Sequence, residues 1–79
     1  MSRYPLDLTL RQAEGALARV LGTVERRGFR PVGVDGEAQP DGDRWHLRLA
    51  VEGERPAESL TTQLAKLHDC LAVEATPCR

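Results

Sequence analysis

Two hydrophobic periods divide the chain. From Pro5 to Leu10, the apolar residues Leu6, Leu8 and Leu10 alternate with Asp7 and Thr9, the period-two pattern of a half-buried strand. From Gln12 to Arg27 the period lengthens. Ala13, Ala16, Leu17, Val20, Leu21 and Val24 gather on one side of a helix at about 100° per residue. Arg26 and Arg27 suit the carbonyl end of that helix, and Gly28 supplies the left-handed residue that stops it. Phe29 to Gln39 returns to period two through Val32 and Val34, but Pro31 cannot donate to a ladder, so this stretch is expected at a sheet edge. Pro40-Asp41-Gly42 has the chemistry of a turn. Arg44 to Glu52 then alternates most regularly, with Trp45, Leu47, Leu49 and Val51 facing one way and Arg44, His46, Arg48 and Glu52 the other. Gly53-Glu54-Arg55 is a loop, and Pro56 fits the first helical position. Leu60, Leu64 and Leu67 mark a second helix ending near His68, and Leu71, Val73 and Ala75 alternate once more.

The order strand, helix, strand, strand, helix, strand predicts an α+β fold. It is the ferredoxin-like βαββαβ sandwich, a four-stranded antiparallel sheet with two helices on one face. Each strand offers one apolar face, which matches helices on one side and solvent or a partner on the other. The 79 residues are expected to form one domain spanning 1–79, with a core over about 5–75. A domain this small buries only about 60 % of the surface its unfolded chain exposes, which leaves little room for a deep catalytic cleft.

Charge and chemistry narrow the function. Eleven Lys+Arg against 12 Asp+Glu leave a net charge of -1, unlike the basic footprint of a nucleic-acid binder. No apolar run approaches the length of about 20 residues that spans a bilayer, and no signal-peptide core is seen, so a cytoplasmic protein is expected. Cys70 and Cys78 would close too short a loop to staple a fold. Phosphate loops, His-Glu-x-x-His, Gly-x-Ser-x-Gly and Cys-x-x-Cys are missing, and no catalytic or metal-binding residue is expected. His68-Asp69-Cys70 lacks the paired spacing of structural zinc. His46 reads as a solvated side chain on the hairpin, not a general base. An RNA-recognition role would need aromatics on the exposed face of the central strands, where the hairpin carries Arg44, His46 and Arg48. An acylphosphatase would need a glycine-rich loop beside Arg11.

One feature asks for a second chain. Gly15, Ala18 and Gly22, with Arg19 and Arg26 alongside, lie opposite the apolar stripe of the first helix. A glycine inside a helix costs about 1 kcal/mol relative to alanine. Gly15 falls near the start, where the cost is lower; Gly22 does not. Close approach of another backbone would account for it, and drift at a tolerant surface position is the alternative.

The segments Gly15-Ala16-Leu17-Ala18-Arg19-Val20-Leu21-Gly22 and Arg26-Arg27-Gly28-Phe29 resemble the first helix of ACT domains. The likeness is to the small regulatory subunits of acetolactate synthase (acetohydroxyacid synthase). The short chain and the segment Leu60 to Leu67 look like the isozyme II type. The resemblance implies a non-catalytic subunit that binds and activates a large thiamine-diphosphate enzyme of branched-chain amino acid biosynthesis. It binds no cofactor itself, because thiamine diphosphate, Mg2+ and FAD belong to the large partner. It further implies a homodimer through the first helix and second strand, with Ala18, Arg19, Gly22, Val32 and Val34 at the interface. An amino-acid effector would sit at the loop formed by Gln12, Ala13, Glu14, Gly15 and Ala16. In feedback-inhibited relatives an asparagine stands where Gln12 does here, and Glu14 adds a negative charge beside any carboxylate. Weak or no response to valine is therefore expected. A free-standing amino-acid-sensing module is the alternative. Arg44, His46 and Arg48 are the candidate surface for the catalytic chain, against ordinary solvation.

Overall fold

The computed structural model describes residues 2–40 and 42–75. It contains β1 (Ser2–Arg11), α1 (Ala16–Arg26), β2 (Arg30–Ala38), β3 (Arg44–Gly53), α2 (Ala57–Ala65) and β4 (Cys70–Ala75). The sheet runs β2-β3-β1-β4, with every neighbouring pair antiparallel. This is the expected ferredoxin-like arrangement, and β2 lies at an edge, where Pro31 is tolerated. Cys78 and Asp41 of the expected turn lie outside the described residues.

The two central strands supply the core. Leu6, Leu8 and Leu10 of β1 pair in register with Leu49, Leu47 and Trp45 of β3, so their side chains share one face. Val20 and Val24 of α1, Leu60 and Leu64 of α2, and Phe29 close over that face, and all of them are buried. Phe29 follows Gly28, whose φ of +86° ends α1. The amide of Gly28 donates to the Glu25 carbonyl and that of Phe29 to the Val24 carbonyl, a Schellman closure that delivers the ring to the core. Tyr4 meets it edge-on, with centroids 6.3 Å apart.

The structure corrects the expected elements in four places. α1 begins at Ala16, not Gln12, because Gly15 adopts φ +80° and cannot belong to a right-handed helix. Residues 12–14 are therefore loop, and Ala13 leaves the helical stripe. Pro56 is the N-cap of α2 and not its first helical residue, and α2 stops at Ala65. Leu71 is 45 % exposed, because the β1–β4 register slips between Thr9 and Leu10 and turns Cys70 toward the core in its place. Val32 and Val34 stay 41 % and 50 % exposed, for β2 lies at the margin of the helical layer. Among the described residues, no helix is long and apolar enough to cross a membrane.

Candidate functional site

Where β1 ends, the chain must turn up to the helical layer, and the turn leaves a cleft of about 370 Å³. Arg11, Gln12, Ala13, Gly15, Ala16, Leu17, Ala18 and Trp45 line it. The connecting loop is pinned at each step. Arg11 N–H donates to the Asp69 carbonyl at 2.8 Å, and Gln12 N–H to the Asp43 carbonyl at 2.9 Å. Ala16 N–H donates to the Ala13 carbonyl at 3.1 Å. Gly15 caps α1 with no side-chain acceptor, and no acidic residue stands in the first turn. The partial positive charge of the helix start is thus left for an anion, and Arg11 also lines the cleft. The apolar part of the lining comes from Leu17, Ala18 and Trp45. A ligand carrying a carboxylate and a small apolar group would suit this mixed lining.

A half-buried ion pair backs the loop. Arg19 Nε donates to Asp69 Oδ2 at 2.7 Å, and Arg19 Nη2 reaches the same oxygen. Arg19 Nη2 also donates to the Glu14 carbonyl at 3.0 Å. Asp69 is 6 % exposed, the one buried charged residue among those described. Its carboxylate is held by a guanidinium that is half open to solvent. A side chain at Gly15 would be strained by φ +80°, and its Cβ would stand 3.0 Å from Arg19 Nη1.

Trp45 is set by Gly36. A Cβ on Gly36 would come within 2.5 to 2.9 Å of three indole atoms, so the bare Cα lets the ring lie across β2. The ring is partly buried against the core and faces the cleft with its remaining surface.

The residues expected at the effector site divide. Gln12, Ala13, Gly15 and Ala16 line the cleft; Glu14 does not, and contributes its carbonyl to Arg19 instead. The interface residues divide as well. Ala18 lines the cleft, Val32 and Val34 are exposed on β2, and Arg19 is committed to Asp69 within the chain. Gly22 lies within α1, and a Cβ there would meet only the Arg26 guanidinium, at 3.3 Å. Nothing in the chain's own packing demands a glycine at that position. Asp69, Leu17 and Trp45 were not among the expected site residues. An alternating pattern already placed Trp45 inward, but no local signal joins Arg19 to a carboxylate 50 residues away.

The open face of the sheet is charged. His46 Nε2 lies 3.4 Å from Asp7 Oδ1, and Arg48 Nε lies 3.6 Å from the same oxygen. Arg3 and Arg30 both pair with Glu52, at 2.9 and 3.0 Å. Hydrogen bonds from Arg3, then from Arg30, hold the Glu52 carboxyl below the ordinary glutamate range. Burial raises the Cys70 thiol above its ordinary value. Among the described residues, no three His, Cys, Asp or Glu side chains gather as a metal site.

The family model described as ACT domain matches residues 12–73. Over 69 residues the chain is 32 % identical to the acetolactate synthase isozyme 1 small subunit of Escherichia coli (strain K12). That alignment covers 87 % of this chain and 72 % of the relative. The narrower likeness to the isozyme II type finds no support in an isozyme 1 relative. The fold matches the ACT domain of GTP pyrophosphokinase from Chlorobium tepidum with a TM-score of 0.77 at 12 % identity, over 94 % of this chain and 96 % of that one. It also matches the C-terminal domain of the MgtC protein from Mycobacterium tuberculosis, with a TM-score of 0.72 at 19 % identity, over 94 % and 84 % of the two chains. Those two likenesses concern the fold alone.

Proposed function

The chain belongs to the ACT-domain family, and from that premise we propose that it is a non-catalytic regulatory subunit of an acetolactate synthase. The observation that carries the reading is the 32 % identity to an acetolactate synthase small subunit along 87 % of the chain. In this role it binds the large catalytic subunit in the cytoplasm and raises its activity. Thiamine diphosphate, Mg2+ and FAD belong to that large subunit, and this chain carries none of them. Two copies pair through α1 and β2. The exposed Val32 and Val34, and a Gly22 that its own chain does not require, support that pairing. An exposed edge strand needs covering or pairing in any case.

The cleft at residues 11–18 takes a small amino acid through its carboxylate and apolar side chain. The response to valine is weak or nil, because Gln12 lines the cleft in place of the family asparagine. Co-expression of the tagged chain with the large subunit of its own organism tests the assignment. A stoichiometric complex is expected. The cleft favours one second reading, a free-standing amino-acid-sensing module. A chain that binds an amino acid and captures no large subunit would establish that reading instead. Calorimetry with valine decides sensitivity, and binding at low micromolar concentration would overturn the expectation of weak response.

A further inference from the structure

We propose that Asp69, which does not line the cleft, is the positioning residue that fixes the cleft's shape, acting on both ends of the loop from behind. The inference rests on the reading of the cleft as the amino-acid site, and it adds the device that holds that site ready.

Two segments distant in sequence, residues 11–19 and the turn before β4, meet at Asp69. Asp69 lies in the connection between α2 and β4, and its backbone carbonyl accepts the Arg11 amide where the loop begins. Its side chain holds Arg19 through Nε and Nη2. Arg19 Nη2 then grips the Glu14 carbonyl, where the loop ends, and its guanidinium lies against Gly15. Arg11 and Gly15 are cleft walls, whereas Asp69 and Arg19 are not. One residue therefore sets the entry and the exit of the loop, the first by its backbone and the second through a planar fork.

Geometry gives each group a distinct task. A guanidinium can serve a carboxylate and a carbonyl at once, while a lysine ammonium is a single point of charge on a flexible stem. With only 6 % exposure, Asp69 has water as no substitute for Arg19. The short backbone bridge from Ala16 N–H to the Ala13 carbonyl cannot by itself orient the loop against Trp45, since it closes only a local turn.

Amide hydrogen exchange on the full chain tests the proposal without needing a ligand. In Asp69→Asn, which keeps the backbone carbonyl that holds the Arg11 amide, the amides of Ala16 and Arg19 at the loop end held through the Arg19 guanidinium should exchange about tenfold faster, the loss of a hydrogen bond to a charged group. Those of Val20, Val24 and Leu47 should stay at wild-type rates. Acrylamide quenching of Trp45 should rise in parallel. Arg19→Lys keeps the charge and should loosen the same loop amides, because it cannot hold both acceptors. Exchange that is unchanged in the loop, or raised equally in loop and core, overturns the proposal; the second outcome would mark a purely structural pair. Titration of the wild-type chain with valine, leucine and isoleucine, read by Trp45 emission, tests the amino-acid reading separately. A silent titration beside selectively loosened loop amides would sink that reading and leave the positioning role standing.

Discussion

Replacing Gly36 by alanine should disturb the cleft from the far side of the sheet edge. The new Cβ would stand 2.5, 2.7 and 2.9 Å from Cζ2, Cε2 and Nε1 of Trp45. Carbon atoms settle at about 3.5 Å or more, so the ring must retreat by about 1 Å. Such overpacking costs about 1–3 kcal/mol. Alanine offsets about 0.5–1 kcal/mol of this, because glycine is the poorer strand residue. A net loss of up to about 2.5 kcal/mol follows, and each kcal/mol lowers the melting temperature of a domain this size by about 4–8 °C. Trp45 is the one tryptophan in the sequence, so its emission reads the displacement directly. Gly36→Ala should shift the emission maximum, increase quenching by acrylamide and lower the midpoint of urea unfolding. Unchanged emission with wild-type or higher stability would show that the ring does not depend on the bare Cα.

Three further substitutions, at two positions, bear on surfaces away from the cleft. Gly22→Ala should stabilise an isolated chain by about 1 kcal/mol in denaturant unfolding, since only the end of the long, exposed Arg26 side chain stands near, at 3.3 Å. Gly22→Leu should lower the dimer fraction in analytical ultracentrifugation, and an unaltered association state would count against the α1 interface. Glu52 is held below the ordinary glutamate range by Arg3 and Arg30, so its contribution to stability is complete above that range. It is lost as the pH falls through the lowered folded-state value. Glu52→Gln should flatten this acid limb in urea titrations, and 1 M salt should shrink the difference. An acid limb of wild-type steepness in Glu52→Gln would remove the linkage.

The fold was legible because its signals are local. Leu6, Leu8 and Leu10, and Leu47, Leu49 and Val51, alternate without interruption, and all six are buried. The errors fall where a local pattern is overridden. Gln12 to Glu14 carry helix-compatible residues, but the φ of +80° at Gly15 starts the helix later. Leu71 keeps the alternation of β4 in sequence and loses it in space, because a bulge turns it outward. The cleft was half legible. Loop residues Gln12, Ala13, Gly15 and Ala16 were anticipated through the family resemblance, while the Trp45 wall follows from strand pairing of Ala38 with Trp45 and from the space above Gly36. Arg19 is expected at an interface because it lies beside small residues on the helix. Its partner within the chain, Asp69, sits in a sequence context that reads only as a poor metal motif, and pairing across 50 residues leaves no periodicity to detect.

The claim that this chain is a regulatory subunit is tested most directly by adding it, in rising amounts, to the purified large subunit of its organism's acetolactate synthase. Acetolactate formation from pyruvate is the readout. Activity should climb and saturate at a fixed molar ratio of the two chains. A flat titration, with no complex of the two chains on size-exclusion chromatography, would contradict the claim.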